Sequence, residues 1–154
     1  MPMTLEQLRN QLSAIEPDDG TYAGIGPSEI PLLEQLLQDA EAWMASRAVF
    51  APSRVPDMRA ASILSRAVAD PRQEVRVSVA ASVSNLRPGD ANNILLNLLA
   101  DTDLGVRKFA VQAVSETHDA AVHAKLQDLE TRDSAPSIRD VAKERLRELK
   151  LIGP

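Results

Sequence analysis

The sequence predicts an all-α solenoid built from four consecutive helix pairs, and three observations support that prediction. A short pattern recurs four times, in which an acidic residue is followed five positions later by an apolar residue and then usually by arginine. Only four of the 154 residues are aromatic although 44% are hydrophobic, so Ala, Val, Leu and Ile must form the core. Nowhere do β-branched and aromatic residues alternate over the length of a strand, which disfavours a β-sheet.

The acidic and apolar positions of this pattern stay in register along the chain. The acidic positions are Asp39, Asp70, Asp101 and Asp133. The apolar positions five residues later, called the anchors below, are Met44, Val75, Val106 and Ile138. Both series advance by 31, 31 and 32 residues, a spacing that two series rarely share by chance. The chain is therefore expected to repeat one structural unit.

Residues 1–27 are expected to form a capping helix and a loop that cover the open end of the stack. Thr4 is a suitable N-cap for this helix. The apolar face of the helix consists of Leu5, Leu8, Leu12 and Ile15. Glycine and acidic residues are frequent in residues 16–27, which predicts a solvated loop.

Each unit of the array, which spans residues 28–150, is expected to be a helix, a tight turn and a second helix. In the second helices, apolar or small residues follow each anchor at steps of four, eight and eleven, which is one face of an α-helix. These stripes are Met44, Ala48, Pro52 and Val55; Val75, Val79, Val83 and Leu86; Val106, Ala110, Val114 and Thr117; and Ile138, Ala142, Leu146 and Leu149. The units cover about 28–56, 57–87, 88–117 and 118–150, and a tail follows at 151–154.

Start and stop signals agree with this division of the chain. Ser28 and Asp90 are suitable N-caps for two first helices. Pro88 and Pro136 fall where helices are expected to start, and Gly89 is expected in a loop. The boundaries between units are therefore marked by residue type as well as by spacing.

The first unit departs from the pattern at two positions. Ala45 stands where the other units have arginine. Pro52 lies inside the second helix, where a proline removes a hydrogen bond, clashes with the preceding turn and typically costs about 3 kcal/mol. We expect a kink or an early break at residues 50–53.

The last helix has the composition of a polar end cap, which a stack of units needs where it stops. It is far more charged than the second helices before it. Its charged residues are Arg139, Asp140, Lys143, Glu144, Arg145, Arg147, Glu148 and Lys150.

The sequence offers no constellation typical of catalysis, metal binding or cofactor binding. The absence of cysteine excludes thiolate metal sites and cysteine nucleophiles. His118 and His123 are five residues apart, which is unsuitable for two ligands on one helix face, and we expect both at the surface. Serines in the second helices have no histidine nearby to act as a base, and small residues suit close helix packing. We therefore expect no enzyme, no metal and no cofactor.

Charge and hydropathy suggest a cytoplasmic protein whose partner is another protein. The net charge is −5, which opposes the basic surface typical of nucleic-acid binders. No apolar run approaches the length of a membrane span, and the first residues do not resemble a signal peptide. We expect neither nucleic acid nor membrane as a partner, and a monomer or a weak homo-oligomer.

Residues 70–86 (DPRQEVRVSVAASVSNL) and 101–114 (DTDLGVRKFAVQAV) resemble HEAT repeats of the short variety seen in bacterial HEAT-like and phycobilisome-lyase-type proteins. The resemblance covers about residues 28–150 and implies a right-handed α-solenoid, an α-α superhelix. In such repeats the turn aspartate and the arginine after the anchor form a structural ladder between units. Here that ladder would consist of Asp70, Arg76, Asp101, Arg107, Asp133 and Arg139, with the rung from the first unit missing because of Ala45.

The resemblance also implies that the second helices line a concave face, which we expect to bind another protein. The positions two, six and nine after each anchor would form that face. They are Ser46, Phe50, Ser53, Val77, Ala81, Ser84, Lys108, Gln112, Ser115, Asp140, Glu144 and Arg147. Phe50 is the one aromatic residue among them, which is typical of a modest protein interface.

Two other functions remain open from the resemblance. Related repeats occur in bilin lyases and pigment-protein chaperones, but no aromatic-rich pocket is evident here. Other HEAT-like proteins are DNA glycosylases, which hold the duplex in a basic concave face. Only Lys108 and Arg147 could neutralise phosphates among the concave positions, so a protein-binding scaffold or adaptor is the favoured interpretation.

Overall fold

The computed structural model describes residues 2–153, and Met1 and Pro154, the ends of the predicted capping segment and tail, lie outside the described residues. Within residues 2–153 the regular structure is entirely helical, which confirms the predicted all-α repeat solenoid. The α-helices are α1 (Leu5–Leu12), α2 (Ile30–Leu36), α3 (Ala42–Ser53), α4 (Met58–Ala67), α5 (Gln73–Ser82), α6 (Pro88–Leu99), α7 (Leu104–Ala113), α8 (Ala120–Arg132) and α9 (Pro136–Glu148). Short 3₁₀ turns occupy Asp19–Tyr22, Pro27–Glu29 and Val83–Asn85.

The helices form two layers. The first helices α2, α4, α6 and α8 contact one another in series, and so do the second helices α3, α5, α7 and α9. Within each unit the first helix also packs on the second, as α2 does on α3 and α8 does on α9. Consecutive units therefore share one continuous core, which is how short helix pairs acquire stability in a repeat array.

The core is one cluster of aliphatic residues that runs the length of the array. All four anchors are fully buried. So are Leu33, Leu64, Leu95 and Leu126, which stand at one equivalent position in the four first helices and are 31 residues apart.

The helix α1, which precedes the array, packs against the first unit. Leu8 and Leu12 of α1 are fully buried, and the helix contacts both α2 and α3. Thr4 caps it as predicted, because Thr4 Oγ1 accepts the Gln7 N–H at 3.1 Å and the Gln7 side chain accepts the Thr4 N–H at 2.8 Å. The prediction for Ile15 is wrong: α1 ends at Leu12, and Ile15 is 95% exposed.

Two predicted N-caps are also wrong. Ser28 lies in the 3₁₀ turn Pro27–Glu29, and α2 follows from Glu29. Asp90 and Gly89 lie inside the first turn of α6, because that helix already begins at Pro88. The aspartates whose carboxylates do cap helices are Asp57 before α4, Asp103 before α7 and Asp119 before α8.

Pro52 does not shorten its helix. It lies in the last turn of α3, which ends at Ser53, whereas α5 and α7 end two positions earlier in their units, at Ser82 and Ala113. Its side chain is buried at the position that Val83 and Val114 occupy in later units. A proline one residue before the helix end leaves only one further residue in helical conformation, so the predicted early break does not occur.

Among residues 2–153, no helix has both the length and the hydropathy needed to cross a lipid bilayer. The longest helices, α8 and α9, have 13 residues each. A membrane-spanning helix needs about 20 apolar residues.

Replacing Leu8 by alanine should loosen the N-terminal end of the array. The substitution removes a fully buried side chain, a change that typically costs about 2–5 kcal/mol in a packed core. Leu5→Ala on the same helix is the matched control, because Leu5 is 38% exposed and should change the free energy of unfolding by less than about 1 kcal/mol. Urea denaturation measures both variants. Equal effects of the two substitutions would contradict the docking of α1 described above.

Candidate functional site

Two arginines of the second helices each hold the aspartate of the next turn. Nε and Nη2 of Arg76 donate to the Asp101 carboxylate at 2.8 and 3.2 Å, and Arg107 donates in the same way to Asp133 at 3.0 and 3.2 Å. Nη1 of each arginine donates to the carbonyl of its own turn, at Asp70 and Asp101, both at 2.9 Å. One guanidinium group therefore ties two consecutive turns together through a bidentate pair, the strongest form of this contact.

Each turn aspartate also shapes its own turn. Its Oδ1 accepts the backbone N–H two residues later, at 2.8 or 2.9 Å. The donors are the amides of Glu41, Arg72, Asp103 and Ala135. The pattern of an acidic residue five positions before the anchor thus reflects a turn that presents a carboxylate to the preceding unit.

The predicted gap in the ladder at Ala45 is wrong, because Arg72 fills it from the following unit. Arg72 Nε and Nη2 donate to the Asp70 carboxylate, both at 3.0 Å. Its Nη1 donates to the Asp39 carbonyl at 2.6 Å and its Nη2 to the Leu37 carbonyl at 3.0 Å. These are the two groups, a carbonyl of one turn and the carboxylate of the next, that an arginine at position 45 would join. The hydrogen bonds from Arg72 lower the pKa of Asp70.

A further rung lies at the N-terminal end, where the sequence analysis expected none. Arg9 of α1 forms an ion pair with Asp39 through Nη1 and Oδ2. The signal for it is the dipeptide Leu8-Arg9, which has the order of anchor and arginine found in the array. This dipeptide does not fit the repeat pattern in two respects. Met3, five residues before Leu8, is not acidic, and Leu8 precedes the anchor Met44 by 36 residues rather than 31 or 32.

The predicted concave positions of the first unit are not free for a partner. Ser53 is buried, where its hydroxyl donates to the Phe50 carbonyl at 2.5 Å and accepts from Asn85 Nδ2 at 3.1 Å. The Ser46 hydroxyl donates to the carbonyl of Glu74 on α5 at 3.2 Å. These serines hold α3 against the next unit.

Phe50, the aromatic residue expected to anchor a partner, is covered by the loop before α2. The ring of Tyr22 meets it edge-on with 4.9 Å between centroids. The guanidinium carbon of Arg54 lies over the Tyr22 ring, 5.3 Å from its centroid. Nη1 of Arg54 also forms an ion pair with Asp19 Oδ1 at 3.1 Å. Residues 16–27 are thus partly packed against α3, which the interpretation as a solvated loop missed.

The later units keep their predicted positions accessible, together with one residue that the sequence analysis omitted. Phe109 of α7 is 44% exposed, as is Trp43 of α3 to a similar extent at 43%. We define the open face as Val77, Ala81, Ser84, Lys108, Phe109, Gln112, Asp140, Glu144 and Arg147. Of these, Val77 is partly buried and the others are exposed.

The register between second helices places Phe109 in this face. Ser78 of α5 stands at the equivalent position three residues after its anchor, and its hydroxyl donates to the Ser46 carbonyl on α3 at 2.6 Å. Val141, the equivalent residue of α9, lines a shallow depression together with Gln112. In α5 and α9, the residue at this position therefore lies near the preceding second helix, and Phe109 is its equivalent in α7.

The charges of the open face are uneven along the array. Lys108 lies near its middle, and Asp140 and Glu144 lie on α9. Arg147 is 3.9 Å from Glu144, so the positive charge of Arg147 is partly compensated. The end of the open face at α9 thus has an excess of one carboxylate, and its centre combines the apolar Phe109 with the cationic Lys108.

Ser115, the remaining concave position, belongs to a histidine cluster at the junction of α7 and α8. His118 is buried, contrary to the prediction, and its Nδ1 accepts the Ser115 N–H at 2.8 Å. His123 Nε2 lies 2.9 Å from the Ser115 carbonyl. Burial lowers the pKa of His118 from the ordinary value of 6.5, the charge of His123 adds to that effect, and Asp119 opposes it. Within residues 2–153, no group of three His, Asp or Glu side chains is arranged to hold a metal ion.

Comparisons with known proteins agree with the repeat architecture. A family model described as HEAT repeats matches residues 60–147, more than half of the chain. A designed armadillo repeat protein in complex with the peptide (KR)4 is similar in structure with a TM-score of 0.56 at 18% identity, over 94% of this chain and 81% of that chain. No curated protein matches the sequence.

Two further solved structures have the same architecture. An engineered protein from a structural genomics consortium gives a TM-score of 0.58 at 18% identity, over 96% of this chain and 81% of that chain. Another designed armadillo repeat protein gives 0.50 at 20% identity, over 96% and 87%. At these identities the similarity shows the fold alone.

Two substitutions can test whether Arg72 takes the role of an arginine at position 45. Arg72→Ala should lower the free energy of unfolding by about 2 kcal/mol, because Asp70 and the carbonyls of Leu37 and Asp39 lose their donor. Ala45→Arg should also destabilise, since Ala45 is fully buried in the wild-type protein. The double variant should recover most of the loss, because one guanidinium then serves the same turns. Additive losses in urea denaturation would contradict this equivalence.

His118 should make the protein less stable as the pH falls. Its pKa is lower in the folded protein than in the unfolded chain, so the unfolded chain takes up the proton first. The free energy of unfolding should therefore decrease as the pH drops from about 6.5 through the folded pKa. Denaturation at pH 7.5, 6.5 and 5.5 should show a smaller decrease for His118→Gln than for the wild type. An NMR midpoint for His118 above 6.5 would refute the prediction.

Proposed function

The chain belongs to the HEAT repeat family, and we propose on that basis that it is a non-catalytic protein-binding scaffold. The open face on α5, α7 and α9 would hold an extended segment of a partner protein. The observation that supports this proposal is the exposure of Phe109 on α7, in the same layer of second helices as the exposed Ala81 and the partly buried Val77 of α5. An exposed aromatic residue with small neighbours is typical of the centre of an interface.

The proposed segment has an apolar residue for the Phe109 region and a basic residue for the end at α9. Asp140 and Glu144 are exposed there, and electrostatic complementarity favours a cationic partner group. The designed armadillo repeat protein named above is described with the peptide (KR)4, a basic segment on the same kind of fold. In the present chain only one end of the open face is acidic, so a wholly basic partner is not what we propose.

The open face supports the two alternative functions less well. Its cations are Lys108 and Arg147, and Arg147 lies beside Glu144. A duplex held by its phosphates needs a continuous row of cations, which this arrangement does not supply. A pigment would need an enclosed apolar site, whereas the apolar centre of the open face is a surface row.

Selection from a library of displayed random peptides tests the proposal directly. The wild-type protein should enrich peptides that combine an apolar and a basic residue. A variant with Val77→Asp and Phe109→Asp should bind the selected peptides at least about tenfold more weakly, because it places charge in the apolar centre of the interface. Fluorescence anisotropy with the purified peptides measures the dissociation constants.

Met58→Asp is the matched control for that experiment. Met58 lies at the start of α4 in the first-helix layer and is 83% exposed, so a negative charge is introduced outside the open face. Circular dichroism establishes that each variant remains helical. The proposal fails if no peptide is enriched, or if the selected peptides bind the open-face variant as tightly as they bind the control.

A further inference from the structure

Residues 16–27, called the strap below, cover a position on α3 that is open in the later units. Phe50 stands six residues after its anchor. The equivalent residues of the later units are all exposed, and they are Ala81, Gln112 and Glu144. Phe50 is partly buried, and the Tyr22 ring of the strap meets it edge-on. The strap therefore lies where the open face would continue onto α3.

The strap is attached to α1 more firmly than to α3. Gln11 of α1 donates through Nε2 to the carbonyls on both sides of Tyr22, at 2.9 and 2.6 Å. Toward α3 the strap offers the Tyr22 ring and the Asp19 carboxylate, whose ion pair with Arg54 is weak because the Asp19 side chain is 94% exposed. Rotation about χ1 of Tyr22 would separate its ring from Phe50 while Gln11 still holds the strap backbone.

The contact between the strap and α3 leaves space for another side chain. Pro17, Tyr22, Phe50 and Arg54 are among the residues that line a shallow depression between the two segments. Its walls are aromatic and cationic, since the Arg54 guanidinium lies 5.3 Å from the Tyr22 centroid. An aromatic ring suits both walls, because it packs edge-on against phenylalanine and presents its face to a guanidinium.

We propose that Tyr22 is an autoinhibitory occupant of this position, and that an aromatic residue of a partner segment displaces it when the segment extends from the open face onto α3. This inference rests on the function proposed for the open face. Because Tyr22 is tethered beside Phe50, its ring competes at a high effective concentration. The apparent affinity for any segment that uses α3 is lowered by the fraction of molecules in which the ring is in place.

Parallel selections from a library of displayed random peptides, against the wild type and against Tyr22→Ala, test this role. The variant should enrich peptides with an aromatic residue that bind it at least about fivefold more tightly than they bind the wild type, because the internal ring no longer competes. Adding Phe50→Ala to the variant should weaken those peptides at least about fivefold. Fluorescence anisotropy measures the dissociation constants, and circular dichroism establishes that each variant remains helical.

Tyr22→Phe is the matched control, because it keeps the ring and should bind the same peptides as weakly as the wild type does. The proposal is overturned if the peptides selected on Tyr22→Ala bind the wild type equally well, if Phe50→Ala leaves their affinity unchanged, or if Tyr22→Phe gains as much affinity as Tyr22→Ala. If peptides selected on the wild type depend on Val77 and Phe109 but Tyr22→Ala brings no gain, the binding role of the open face stands and the role of Tyr22 falls. If neither protein enriches a peptide, both proposals fall.

Discussion

A helix of about ten residues cannot bury its apolar stripe against one neighbour, and this constraint governs the whole molecule. The helices of its own unit and of adjoining units together bury each anchor. The anchors and the equivalent leucines of the first helices therefore belong to one continuous core. The constraint also explains α1. It supplies Leu8 and Leu12 to the first complete unit, as a preceding second helix would, and so covers an end that would otherwise expose leucines of α2.

The turn ladder fixes how successive units are aligned along this core. Apolar packing is non-directional, and a stack held by Val and Leu alone could slide or rotate between units. A bidentate arginine–aspartate pair has one geometry, and each arginine also takes a carbonyl of its own turn, so the offset between successive turns is set. The pairs are poorly accessible, with Arg107 and Asp133 side chains 12% and 5% exposed, so breaking one would leave a largely buried charge without its partner.

The sequence predicted the repeat well because the repeated positions are those with fixed contacts in every unit. Spacing alone located the helix pairs, the anchors and the turn aspartates. Spacing could not locate a contact that is made by a residue outside the repeated positions. Arg72 takes the role of an arginine at position 45 because its side chain reaches the Asp39 carbonyl and the Asp70 carboxylate from the turn that contains Asp70. Nor could spacing show that Tyr22 covers Phe50, since residues 16–27 have no counterpart in the array. Helix starts were misplaced for a related reason, because a 3₁₀ turn before α2 and a proline at the start of α6 replaced the expected side-chain caps.

These contacts separate the positions that the fold constrains from those that are available for binding. Positions one and four after each anchor face the ladder or the core, and the serines of α3 bond to neighbouring helices. What remains is the open face, where neither burial nor a shared hydrogen-bond pattern explains the choice of residues. Phe109 is half exposed on this face, and burying it against a partner would remove apolar area from water. The exposure of Phe109 is consistent with the protein interface proposed for the open face.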